Sequence, residues 1–173
     1  MSIYVARTSQ KLNFARLHLH QLELAQASSG WSKHALVESF QESVLFHLAS
    51  GYQAFLREIA ERYRLEVERI NGFEDLERLL EQSGQESPER NELSALEQDS
   101  GSWLHRMQLA YRACWQASDR RDASTPEHSR SEIQVRQVNP SHAVDRDVQA
   151  ECQRWFDEFA RLVERLRAGM EEW

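Results

Sequence analysis

Between Lys33 and Tyr63 apolar residues recur at Val37, Phe40, Val44, Leu48, Tyr52, Phe55, Ile59 and Tyr63, in steps of three and four. That spacing is the 3.6-residue period of one helix face, sustained without a proline. A helix of this length extends about 45 Å at 1.5 Å per residue. A face that long cannot be buried alone, so other segments must pack along it. One glycine, Gly51, sits on the striped side.

The same periodicity places the remaining elements. A first helix over 5–27 carries Leu12, Ala15, Leu19 and Leu22 in one stripe. Phe14, Leu17, Leu24 and Ala25 widen it sideways, which predicts two neighbours or one neighbour and a second subunit. Ser28, Ser29 and Gly30 end it, with Gly30 suited to a left-handed C′ position and Ser32 to capping the next helix. So short a connection predicts an antiparallel hairpin. Short helices follow over 73–82 and 88–98, the second opened by Ser87, Pro88 and Glu89 as cap, N1 proline and first-turn acid. A third main helix spans 102–118, and a fourth, 140–171, carries Val144, Val148, Cys152, Trp155, Phe159, Leu162, Leu166, Met170 and Trp173. Residues 118–139 lack helical periodicity and read as an irregular loop. The expected fold is all-α: a single domain over 1–173, an antiparallel bundle of four main helices with two short crossover helices.

Composition agrees. Gly and Pro number only 6 and 3 among 173 residues, fewer turn formers than a strand-rich chain uses. The net charge of −7 argues against general nucleic-acid binding, which depends on neutralising phosphates. From Glu58 to Asp99 there are 13 acidic and 5 basic residues, so the acidity is local and the rest is close to neutral. Cys114 and Cys152 form no CxxC or Cys/His pair and read as buried thiols. The opening residues lack an apolar secretory core, and no stretch reaches 18 apolar residues. A soluble cytoplasmic protein, off the membrane, is expected.

Candidate chemistry is sparse. The chain has no Glu-x-x-His, HExxH or GxSxG and no glycine-rich phosphate loop, so no metal or other cofactor is expected. His47 shares a strip of the long helix with Ser43, Ser50 and Ala54. These would line a polar groove between helices or a histidine packed across the bundle. Trp31 in the first turn and Trp173 at the last helix end are candidate interface aromatics.

Arg136 and His142, six residues apart, combine a guanidinium for phosphate with an imidazole for proton transfer. With the helical layout, this Arg-x(5)-His spacing resembles the HEPN superfamily, many of whose members are ribonucleases or toxin components. The resemblance implies a metal-independent ribonuclease, or an inactive relative, acting through those two residues. The opening YVARTSQKLNFARLHL and the long helix also resemble small helical bacterial proteins grouped in families of unknown function, which implies a fold and no activity. Without a catalytic constellation, the leading expectation is a non-enzymatic interaction or assembly protein that self-associates. A HEPN-like ribonuclease and a small-molecule-binding bundle centred on His47 are the alternatives.

Overall fold

The computed structural model describes residues 2–116 and 145–171. It contains α1 (Ile3–Ala27), α2 (Lys33–Arg62), α3 (Phe73–Ser83), α4 (Pro88–Gln98), α5 (Trp103–Ala113) and α6 (Asp145–Glu171), with one 3-10 turn at Val67–Arg69. No strand occurs among the described residues.

The local chemistry explains most boundaries. The Ser2 hydroxyl accepts from the amides of Tyr4 and Val5, so α1 starts two residues earlier than its apolar stripe indicates. Ser87 caps α4 by accepting from the Arg90 amide at 3.1 Å, with Pro88 in the first turn. Gly84 ends α3 at φ 66°, a conformation that glycine adopts without strain. Two expected caps differ. Gly30 has no left-handed backbone, because α1 closes at Ser28 in extended conformation, its amide bonded to the Ala25 carbonyl. Ser32 precedes α2, yet its side chain makes no capping bond. α5 is also shorter than expected: at Cys114 and Trp115 the backbone tightens to i→i−3 bonds from Tyr111 and Arg112. The expected loop at 118–139 and the residues 140–144 lie outside the described residues.

Paired contacts give the helix directions. Lys11 approaches Gly51, Phe14 packs on His47, and His18 on Phe40, so α1 and α2 run antiparallel. On α6, Phe159 meets Tyr52 and Phe55 while Arg167 meets Glu58, so α6 runs parallel to α2. Arg167 also reaches Val5 and Ser9, opposite in sense to α1. Trp103 packs on Phe159, and Arg106 faces Glu151, making α5 antiparallel to α6. The four bundle helices α1, α2, α5 and α6 thus alternate in direction along the chain, with α2 and α6 as the parallel diagonal pair in contact across the bundle. This is the antiparallel bundle that the periodicity predicts.

Gly51 permits that diagonal contact. A Cβ there would stand 3.1 Å from Phe159 Cε1 and 3.3 Å from Lys11 Cβ, closer than side-chain carbons ordinarily approach. Around it Val44, Leu48, Phe55, Ile59, Phe159, Leu162 and Val163 are buried in one core. Burying each large side chain contributes about 1.5–3 kcal/mol. At one end of the core, Arg167 donates Nε and Nη2 to the two oxygens of Glu58 at 2.6 and 2.8 Å. Glu58 is almost fully buried, so losing the guanidinium would strand a desolvated carboxylate.

α3 and α4 form the crossover, packed on α2 and α5 respectively. Two tyrosine hydroxyls, from the buried Tyr52 of α2 and the half-buried Tyr63 at its end, anchor it. Tyr52 Oη donates to Glu97 at 2.8 Å, and Tyr63 Oη donates to Glu89 at 2.7 Å. Glu89 also accepts from Ser87 Oγ at 2.7 Å, so this buried carboxylate is held by two hydroxyls. Burial raises both phenols above their ordinary value of 10.0, with Glu97 and Glu89 adding to the effect.

The glycines give the fold a direct test. Gly51→Val should overpack the diagonal contact and destabilise by about 1–3 kcal/mol in urea titration. Gly169→Ala, where an added Cβ meets nothing within 4 Å, should instead stabilise by about 0.5–1 kcal/mol. Equal effects at the two sites would refute the close-packing role of Gly51.

Candidate functional site

The least ordinary chemistry among the described residues lies on the outer face of the α1–α2 hairpin. Phe14 and His18, four apart on α1, face Phe40 and His47 on α2. The His18 and His47 rings stack with centroids 5.0 Å apart and 29° between planes. Phe14 and Phe46 meet the His47 ring edge-on at 5.4 and 5.2 Å. Lys11 carries its ammonium to 5.0 Å from the Phe46 ring centre, a cation over an aromatic face. The register of the hairpin assembles this cluster, because the antiparallel arrangement sets residues 11–18 beside 40–51.

The cluster is half-buried and electrostatically simple. His47 is pushed below its ordinary value of 6.5 by burial first, then by the nearby His18 and Lys11. The Nδ1 atoms of His18 and His47 are both buried without a hydrogen-bond partner. No carboxylate orients either ring, so the arrangement lacks the base-and-orienter pair of general acid–base catalysis. Among the described residues no group of three or more His, Cys, Asp or Glu is placed to hold a metal ion.

Ser43 is half-exposed and donates to the Ser39 carbonyl of its own helix at 2.9 Å. Ser50 is half-buried, and Ala54 is buried. His47 with these residues therefore forms a strip along the α1–α2 seam. Trp31 is 100% exposed in the turn between the two helices. Leu17, Leu24, Leu36 and Phe46 are each about half exposed on the outer side of the same hairpin. Arg136, His142 and Trp173 lie outside the described residues.

The sequence reading missed several features. One is an open cleft of about 720 Å³ between α2, α3 and α5, lined by Tyr52, Phe73, Glu97, Gln108, Tyr111 and Trp115. His47 does not line it. Its polar groups are largely satisfied: Gln108 and Tyr52 both donate to Glu97 Oε1, and Asp75 accepts from the Asn71 amide. Trp115 is 58% exposed at the rim, because α5 ends before it. His18 is the other omission, and the hairpin register was the available signal for it. The cysteines behave as expected thiols: Cys152 is buried, with burial pushing it up to about 12, and Cys114 is half-buried and raised to about 11.

The fold and this surface define a helical-bundle protein with an aromatic–histidine face and, among the described residues, no catalytic centre. The chain belongs to a family of unknown function (DUF6586), whose model matches residues 1–173. No curated protein and no solved structure matches it. The likeness to families of unknown function is thereby shown, whereas nothing in these comparisons carries the HEPN resemblance. No described helix is long and apolar enough to cross a membrane.

The depressed His47 value has a definite sign. Folding excludes a proton that the unfolded chain accepts, so this contribution to stability is fully present above pH 6.5. It is lost as pH falls from there through the depressed value. Thermal melts at about pH 7.5 and about pH 5.5 should show a larger drop for the wild type than for His47→Gln. Parallel pH profiles for the two would contradict the packing described for this ring.

Proposed function

We propose that this protein is a non-enzymatic assembly module of the cytoplasm, which associates with a second copy of itself through the outer face of the α1–α2 hairpin. One observation carries the reading. Leu17 and Leu24 of α1 stand 50% and 52% exposed, and Phe46 of α2 is 47% exposed beside them. Together with Leu36, Trp31 and the half-buried Phe14, they line one side of a single rigid hairpin. Six of the eight exposed large apolar side chains among the described residues, Ile3 included, lie on this hairpin, a concentration beyond the single exposed side chains of an ordinary surface.

The core does not account for these residues. α1 is fully served inward by Ala15, Leu19, Leu22 and Ala25, which pack against α2 and α6. Its outer apolar residues are surplus to the bundle, as a helix with two apolar faces requires of a second neighbour. Aromatic and leucine side chains at the centre of a polar rim are what an interface core uses. The cytoplasmic setting is supported by two free thiols, one of them wholly buried.

Sedimentation equilibrium and light scattering on the purified chain test the reading. The wild type should be a dimer at micromolar concentrations. Leu17→Glu with Phe46→Glu should weaken association by at least about a hundredfold, since each places a charge in an apolar interface, while leaving helicity unchanged. A wild type that stays monomeric throughout would overturn the proposal.

A further inference from the structure

The cleft between α2, α3 and α5 shares no residue with the exposed apolar face of the hairpin. α2 supplies its floor through the buried side chains of Ala49, Tyr52 and Leu56. α3 contributes Phe73 and Glu74, and the end of α4 contributes Glu97. α5 and the turn that follows it add Tyr111 and Trp115, whose rings meet edge to face with centroids 4.5 Å apart and 81° between planes. Two aromatic faces thus stand nearly at right angles on the rim. A volume of about 720 Å³ lies in the range of sites for small organic molecules.

The charge of the lining is mostly of one sign. Among the described residues four carboxylates line the cleft, against the guanidinium of Arg112. Asp75 and Glu77 are tied to Arg78 and Arg90, which stand outside the lining. Glu97 is held differently. Tyr52 Oη and Gln108 Nε2 both donate to its Oε1, at 2.8 and 2.7 Å. Both donors are uncharged, so they fix the carboxylate in place without offsetting its charge. After burial, that charge is the next cause that raises the Tyr52 phenol. Gln108 stands one turn before Tyr111 on α5, so its bond sets Glu97 beside the aromatic pair.

An immobilised carboxylate next to two aromatic faces is a receptor for a cation, drawn by the ring quadrupoles and by the full negative charge. The cation called for is organic. Among the described residues no three ligating side chains converge on a metal ion, and aromatic faces favour alkylammonium groups. Glu74 on α3 and Glu97 on α4 are carboxylates on separate walls, with the hydrocarbon of Ala49 and Leu56 in the same lining. That pattern suits a ligand with cations separated by methylene chain. We infer that the cleft binds a linear polyamine, one ammonium held by Glu97 against Tyr111 and Trp115 and the chain laid on the α2 floor.

Calorimetric titration of spermidine into the full chain, at fixed ionic strength, tests the assignment. The wild type should bind saturably with a dissociation constant below about 1 mM. Glu97→Gln removes the charge but keeps an oxygen for Tyr52 and Gln108, and should weaken binding at least about tenfold. Trp115→Ala, at an exposed position outside the core, should weaken it about threefold or more. Glu23→Gln makes the same change of net charge on α1, outside the cleft lining, and should leave the constant unchanged. Circular dichroism checks that each variant stays folded. No saturation up to about 10 mM, or an unchanged constant in Trp115→Ala, would remove the site. Equal losses in Glu97→Gln and Glu23→Gln would reduce the effect to the general attraction of a cation for an acidic chain. Self-association is read by sedimentation and stands or falls apart from these outcomes.

Discussion

The close approach of α2 and α6 at Gly51 is the constraint on which the bundle depends. These two helices are parallel and lie diagonally, a pair that ordinary side chains would hold apart. The missing Cβ admits the Phe159 ring, and that ring then contacts Tyr52, Phe55 and Trp103. With the diagonal closed, α1 and α5 occupy the two grooves on either side, each antiparallel to both diagonal helices. The Arg167–Glu58 pair fixes the rotation of α6 at one end, with the guanidinium also bridging to the Val5 carbonyl. A buried ion pair adds little net stability over an apolar pair, but its fork geometry permits a single register.

The same closure explains the outer face. Once α1 presents Ala15, Leu19 and Leu22 to α2 and α6, the opposite side of its helix has no neighbour within the described chain. Phe14 and His18 straddle the boundary. They are half covered by α2 and half left at the surface, which is why the rings stack rather than hydrogen-bond. Stacked imidazoles with buried Nδ1 atoms are compatible with an apolar interface. An acid–base pair would be aligned edge-on to a carboxylate.

The fold was legible in the sequence because its period is long and uninterrupted. Eight apolar positions specified α2, and nine specified α6, of which those from Val148 to Met170 are seen buried or packed. Boundaries were legible where a side chain caps, as at Ser87 and Pro88. The end of α1 falls at Ala27 as expected, closed by Ser28 rather than Gly30, while the end of α5 was set too late because the backbone tightens on itself at Cys114. The aromatic–histidine cluster was half legible. His47 stood out on its own strip, but its partner His18 depends on register across the hairpin, and single-helix periodicity carries no such information. The Tyr52–Glu97 and Tyr63–Glu89 bonds were invisible for a similar reason: they join residues 45 and 26 positions apart.

The turn that joins α1 to α2 has a consequence in time as well as in space. The hairpin closes over a loop of five residues, whereas Arg167 and Glu58 are separated by 109 positions. Closing a short loop sacrifices far less chain entropy than closing a long one, so the hairpin is favoured to form first and α6 to dock last. All the residues of the outer face lie within the first 63 of the chain. During synthesis that face is therefore assembled while α6, which completes the core behind it, has yet to leave the ribosome. Until α6 docks, the inner apolar residues of α1 and α2 that it covers stay open to solvent.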